Sequence, residues 1–235
     1  MSFPKFVSLL KDGLFIPKGN DFKDKDVWEG LLPIKMYGNS KCKESYNNTF
    51  QSIAQWIYVS CWHKEECENF AMWKIYGQIS EAVAIETTID KLKMAYINNF
   101  PNSLAYLDEV DYVLKENNEQ DYLNRALRLI NKRPSQVGIG QNVYHLKFFF
   151  YKDKGFEFEH EVRLVALDES FNLNLPNKKA GIHVNFRDVE SFIQKVRISP
   201  TANEWFHDVV SDLLNKYDIK TQIEHSRFSE QPPAI

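Results

Sequence analysis

Apolar positions along the chain fall into two periods, one near 3.6 residues and one of two. Phe6, Leu9 and Leu10 recur at helical spacing within residues 4–11, and Gly13 supplies the stop, so a short helix is predicted there. Leu14 to Pro17 reads as a short strand, Asn20 to Glu29 as a polar loop, and residues 41–55 as a helix. Ile57-Tyr58-Val59-Ser60-Cys61-Trp62 predicts a buried strand. Glu65 to Ile79 predicts a helix with Glu65, Glu66 and Glu68 in its first turn, where acidic groups complement the helix dipole. Phe70, Trp73, Tyr76 and Gly77 follow at three-to-four spacing. Val83 to Thr88 reads as a strand, with Thr88 capping a helix through Asn98. From Leu104 to Leu114, Val110, Tyr112 and Leu114 alternate with charged residues, which predicts a strand; Glu119 to Lys132 predicts a helix ended before Pro134.

In the second half, His145 to Tyr151 and Glu157 to Leu167 read as two strands, joined as a hairpin through Lys152-Asp153-Lys154-Gly155. Ile182 to Phe186 and Lys195 to Ile198 predict further strands, Asn203 to Tyr217 a helix, and Ile219 to Ile223 a closing strand. Strands and helices mix without regular βαβ alternation. The expected fold class is α+β, with mixed, mainly antiparallel sheets flanked by helices. One domain is expected over residues 1–228, with a short polar tail over 229–235.

The stretch Phe156-Glu-Phe-Glu-His-Glu-Val-Arg-Leu164 carries the most chemistry. As a strand it sets Glu157, Glu159, Glu161 and Arg163 on one face, and Phe156, Phe158, His160, Val162 and Leu164 on the other. Carboxylates two residues apart on a strand lie about 6.5–7 Å apart, and three in a row repel unless cations, a metal or a ligand offset them. One reading is a carboxylate pair that stabilises an oxocarbenium, activates water or binds a metal. The other is a solvated face neutralised by Lys152, Lys154 and Arg163.

A second constellation, Ser60-Cys61-Trp62-His63 followed by Glu66, Glu68, Met72, Trp73 and Tyr76, sits at a predicted strand-to-helix junction. Trp73 and Tyr76 suit stacking on a base or nicotinamide ring as well as they suit a core. Cys61, His63 and Cys67 match no common zinc spacing, so no zinc site is predicted from them. Phosphate-binding glycine loops, the nucleophile elbow and His-Glu-x-x-His are all missing, which removes the simplest nucleotide-triphosphate and hydrolase readings.

Composition narrows the partners. The 235 residues are 43% hydrophobic and 14% aromatic, ample for a packed core, and carry a net charge of −3. Strong non-specific nucleic-acid binding is not expected from that charge. Three cysteines, an odd count, suit a reducing compartment. No stretch approaches a membrane span, and Met1 to Gly13 lacks the character of a secretory signal, so a cytoplasmic location without membrane partners is expected.

The segments SCWHKEECENFAMWKIYG, VAIETT, FEFEHEVRL, VRISPTANEWFHDVVSDLLNKY and HSRF, in that order, resemble a bacterial family of uncharacterised proteins, the domain-of-unknown-function family twenty-nine seventy-one. The resemblance runs from about Phe6 to Pro232. It places the family's shared positions on Asp26, Glu29-Gly30, Ser60 to His63, Glu66, Glu68, Met72-Trp73, Tyr76, Lys152, Glu159, Glu161, Arg163, Pro200, Trp205 and Ser226. It brings no catalytic assignment, but implies bacterial or phage accessory genes of defence or toxin type. Two departures stand out. Many members have a Trp-Arg-Tyr-like strand ahead of the segment matching Phe3 to Leu10, and this sequence as given starts after it. Asp153 stands where relatives often have Arg.

Three functional expectations follow. The first is an enzyme using a nucleotide-like ligand, with NAD as the candidate cofactor and a split sheet similar to that of ADP-ribosyltransferases. Glu159 or Glu161 then takes the catalytic role, with Trp62, His63, Glu68, Trp73, Tyr76, Lys152 and Arg163 as ligand-binding candidates; Trp73 or Tyr76 stacks the nicotinamide, and Lys152 and Arg163 meet phosphates. The second is a metal-dependent nuclease using Glu86, Glu159 and Glu161. The third is a non-enzymatic partner protein of a defence system, for which the load of Trp28, Trp56, Trp62, Trp73 and Trp205 suits an interface.

Overall fold

The architecture comes from a computed structural model, which describes residues 1–22, 48–77, 80–113, 131, 134–137, 144–186 and 192–229. The strands in chain order are β1 (Leu14–Pro17), β2 (Ile57–His63), β3 (Val83–Glu86), β4 (Ala105–Glu109), β5 (Asp111–Val113), β6 (Ser135–Gln136), β7 (Tyr151–Asp153), β8 (Glu161–Leu167), β9 (Gly181–Val184), β10 (Lys195–Ile198) and β11 (Gln222–His225). The longer helices are α1 (Phe3–Asp12), α2 (Ile89–Asn99) and α3 (Glu204–Lys216). This is an α+β fold with mostly antiparallel strand pairs. The chain divides into two compact units, residues 1–15, 65–99 and 183–235 in one, and 16–64 and 100–182 in the other.

In the first unit β10 lies between β11, parallel to it, and β3, antiparallel to it. Alternation gives β10 two faces. Val196 and Ile198 are wholly buried, while Lys195 and Arg197 remain part-exposed on the other side. Three helices contribute apolar stripes to the core: Phe6, Leu9 and Leu10 from α1, Leu92, Ala95 and Tyr96 from α2, and Phe206, Val210 and Leu214 from α3. Phe3 and Phe206 meet edge-on at 5.2 Å. Gly13, with φ of 91°, ends α1; a Cβ there would lie 2.5 Å from the Val184 carbonyl oxygen, so a side chain is excluded both by conformation and by space.

In the second unit the sheet order is β2-β8-β4-β6, each neighbour antiparallel. The central strand β8 is buried from Glu161 to Ala166. One face packs Val59, Val165 and Tyr106 against Phe50, Ile53, Leu146 and the run Phe148 to Tyr151. A two-stranded parallel ribbon, β5 with β7, adjoins it, with Tyr112 opposite Lys152.

Several sequence expectations hold. The helix at residues 4–11 and the strands at 57–62 and 195–198 are present, as is α3. Thr88 accepts from the Lys91 N–H ahead of α2. Others are corrected. Residues 145–151 are helical, Tyr144–Lys147 and then a 3-10 turn Phe148–Phe150, with only Tyr151 entering a strand. A short apolar run fits either element, and here the three phenylalanines are buried by packing rather than by strand pairing. The proposed hairpin with Glu157–Leu167 is also absent, because β7 pairs with β5 and β8 pairs with β2 and β4. The helix expected from Glu65 begins at Phe70, capped by Asn69, whose side chain accepts from the Ala71 N–H at 2.9 Å. Glu65, Glu66 and Glu68 therefore precede the helix instead of forming its first turn. The closing strand is shifted to Gln222–His225, because Asp218 takes a left-handed conformation. The helix expected at 119–132 and Asp26, Glu29 and Gly30 lie outside the described residues, apart from Asn131, which is helical, and so does most of the loop at 20–29; of the helix at 41–55, residues 48–54 are described and helical.

Candidate functional site

The acidic stretch is not one strand. Asp153 caps a 3-10 turn, Lys154–Glu159, by accepting from the Gly155 N–H at 2.9 Å. An Arg at this position has no acceptor for that bond, so the departure at Asp153 has a local structural reason. The turn ends at His160, whose φ of 39° and ψ of 55° put it in the left-handed region. Only then does β8 start, at Glu161. The expected row of Glu157, Glu159 and Glu161 along one strand face is thereby corrected. Glu157 points to solvent, while Glu159 and Glu161, 3% and 6% exposed, are brought to one point.

That point is Lys152 Nζ. It forms a close ion pair with Glu159 Oε2 and lies 3.2 Å from Glu161 Oε1. Arg163, completely buried, donates from Nε to Glu161 Oε2 at 2.5 Å and from Nη1 to the Phe149 carbonyl at 2.6 Å. Two acids and two bases form a charge-balanced cluster. Lys152 also stands over the Phe156 ring, 4.7 Å from its centre. Burial alone pushes the Glu161 carboxyl up. The Arg163 guanidinium and the Lys152 ammonium outweigh it and hold Glu161 down, at about 2.

Backbone bonds fix the frame. The Glu161 N–H donates to the Tyr112 hydroxyl at 2.8 Å, and the Val110 N–H donates to the Glu161 carbonyl at 2.9 Å. His63 Nδ1 donates to the Glu159 carbonyl at 2.5 Å, which sets the proton on that nitrogen. His63 stacks on His160 with ring centres 6.3 Å apart, and the Lys64 N–H donates to the His160 carbonyl. The left-handed residue is thus held from both sides.

Antiparallel register sorts the β2 residues. Cys61 faces Arg163 and His63 faces Glu161, so both share the face of the cluster. Trp62 pairs with Val162 on the opposite face, where its ring N–H donates to Ser60 Oγ at 2.9 Å. Lys152, Glu159, Glu161, Arg163 and His63 are therefore gathered, and Trp62 is turned away from them. Sequence reasoning missed Tyr112 and the Phe149 carbonyl. The alternation of Val110, Tyr112 and Leu114 held a signal for the first, since it gave Tyr112 an inward face; nothing in a sequence marks a backbone carbonyl as an ion's partner.

Glu68, Trp73 and Tyr76 belong to the first unit. Glu68 accepts from the Trp73 ring N–H at 3.2 Å and from the Arg227 N–H at 2.7 Å. Arg197 bridges Glu86 and Glu224 nearby, at 3.3 and 3.1 Å. Tyr76 is 38% exposed. Glu86, the third carboxylate of the nuclease expectation, is thus in the first unit and paired with Arg197. Among the described residues no group of three His, Cys, Asp or Glu side chains is placed to hold a metal ion.

Residues 72–164 match the DUF2971 family. Its model is described only as a protein of unknown function. The resemblance read from the sequence holds over that stretch. The DUF2971 segment begins at Met72 and ends at Leu164, so it includes Trp73, Tyr76, Tyr112 and the whole Lys152–Glu159–Glu161–Arg163 cluster. Neither the curated proteins nor the solved structures give a match.

Proposed function

We propose that the cluster in the second unit is the catalytic site of an enzyme acting on a nucleotide-like ligand, at a glycosidic carbon such as the one joining nicotinamide to ribose in NAD. The observation that carries this reading is that two carboxyls share one lysine while none of the four charged side chains is more than 6% exposed. Burying two ion pairs generally gives no advantage over apolar side chains of the same volume. Their presence, with a left-handed non-glycine residue between the two acids, favours a role beyond packing.

The two acids have different surroundings, which suits a division of labour. Glu161, clamped by Arg163, stays ionised and suits stabilisation of positive charge developing at a ribose carbon. Glu159 is the acid that can change partners, because Lys152 keeps Glu161 when Glu159 leaves it. Arg163, enclosed and committed to Glu161 and Phe149, fits an electrostatic frame better than a phosphate contact. The reading uses the second unit alone, and no step in it needs a metal.

Incubation with NAD, with release of nicotinamide followed over time, tests the proposal. Release by the wild type, and its loss in folded Glu159→Gln and Glu161→Gln, are expected. No release by the wild type, or equal release by both variants, rules the reading out. A second reading is favoured by the near-complete mutual pairing of the four groups: a structural ion network in a non-enzymatic partner protein. It expects no turnover in any variant, and large stability losses in the singles.

A further inference from the structure

The cluster described above is enclosed, so any ligand must reach it past a residue that is itself accessible. Tyr112 is such a residue. It lies on β5, directly beside Lys152 in the parallel ribbon, and is part-exposed where its charged neighbours are buried. Its hydroxyl oxygen is held in place by the Glu161 N–H, which donates to it at 2.8 Å.

A phenol carries one proton to donate and two lone pairs to accept with. The bond from Glu161 uses one lone pair. Among the described residues the Tyr112 hydroxyl donates to no protein acceptor; the oxygen is fixed and its proton is unspent. Burial, and the carboxylates of Glu161 and Glu159, push the phenol up to about 12, against the opposing effects of the Glu161 N–H and Lys152. The proton is therefore present throughout the physiological range. A fixed, always-protonated hydroxyl at the edge of an ionic cluster can orient an oxygen-bearing ligand without paying for its own reorganisation.

We infer that Tyr112 is a ligand-contacting residue of this site, donating its hydroxyl hydrogen bond to an oxygen of the nucleotide, a ribose hydroxyl or a phosphate oxygen, beside the Glu159–Glu161 pair. The inference rests on the catalytic reading of the same cluster and adds to it the point where the ligand touches the protein. No bond is made or broken by Tyr112; its contribution is one directional hydrogen bond in a partly dehydrated place. It separates Tyr112 from Tyr58, another tyrosine of this unit with a well-bonded hydroxyl. Tyr58 donates to Asp168 Oδ2 at 2.7 Å and accepts from Asn177 at 2.9 Å, so its proton is spent within the protein.

The test compares wild type, Tyr112→Phe and Tyr58→Phe with NAD as the probe, measuring the Kd by calorimetry and the KM and kcat for nicotinamide release. Tyr112→Phe is expected to weaken binding about tenfold, the worth of one good hydrogen bond to a polar or charged group. Tyr58→Phe, which removes hydroxyl bonds to Asp168 and Asn177 and none to the Lys152 cluster, is expected to leave the Kd unchanged even where it lowers thermal stability more. If the wild type turns NAD over and Tyr112→Phe has the same Kd and KM, the inference fails and the catalytic reading stands. If the wild type binds NAD without turnover and Tyr112→Phe binds it more weakly, the catalytic reading fails and the contact stands. Equal weakening by Tyr58→Phe overturns the contact as a general loss of structure, and a wild type that neither binds nor cleaves NAD overturns both.

Discussion

Replacing Arg163 by Met tests the electrostatics of the cluster quantitatively. The side chain is completely buried, and it donates to a carboxylate at 2.5 Å and to a carbonyl at 2.6 Å. Methionine keeps most of the volume and is apolar, so the cavity contribution is small and the electrostatic one dominates. Removing one partner of a buried ion pair costs about 3–5 kcal/mol, because the other charge is left behind. Lys152, 3.2 Å from Glu161 Oε1 but also engaged with Glu159, offsets part of it. A loss of about 3–4 kcal/mol at pH 7 is therefore expected, a large share of the roughly 5–15 kcal/mol that holds an ordinary domain together. The double variant Arg163→Met with Glu161→Leu removes both charges and leaves Lys152 paired with Glu159. It is expected to be more stable than Arg163→Met alone, with a coupling of about 2–3 kcal/mol in the cycle. Urea unfolding followed by circular dichroism measures all four corners. A loss below about 1 kcal/mol in the single variant, or a double variant whose loss is the sum of the two singles, refutes the buried ion pair as described.

Two further outcomes follow from the same geometry. Glu161 is held down from its ordinary 4.5 to about 2, so its ionised form stabilises the fold above pH 4.5, and that contribution, on the order of 3 kcal/mol, disappears as pH falls from 4.5 towards 2. The stability gap between wild type and Glu161→Gln should shrink across that window; Asp168, depressed from 3.8 to about 2 in both proteins, cancels in the difference, and a gap constant with pH contradicts the assignment. His160→Val places a β-branched side chain in the left-handed region and is expected to lower stability by about 1–3 kcal/mol, while His160→Gly keeps the turn; a valine variant within 0.5 kcal/mol of wild type, roughly, would remove the strain from the account.

The parts of the fold legible in the sequence were those where local pattern and tertiary burial agree. Ile57–His63 and Lys195–Ile198 are strands by composition and by pairing, and Phe206, Val210 and Leu214 mark α3 by spacing alone. Legibility failed where tertiary bonds overrule pattern. Phe156 to Leu164 alternates like a strand, yet its first half is wound into a 3-10 turn by the Asp153 cap and by the pairing of Glu159 with Lys152. Glu159 and Glu161 were found because charge repetition shows in a sequence, but for a reason that changed. They converge through His160, not along a strand face. Glu68 and Trp73 read as parts of one helix from Glu65, whereas Trp73 is bonded to a Glu68 that stands ahead of the helix.

The central claim is that Glu159 and Glu161 work on the ribose carbon of a nucleotide. A crystal structure of Glu159→Gln grown with NAD tests it most directly, since the variant is expected to bind the ligand without cleaving it. The expected result is an intact NAD with its nicotinamide ribose against residues 159 and 161 and an oxygen on the Tyr112 hydroxyl. NAD bound elsewhere, or a Lys152–Glu161–Arg163 cluster still enclosed with no ligand beside it under saturating NAD, would contradict the claim.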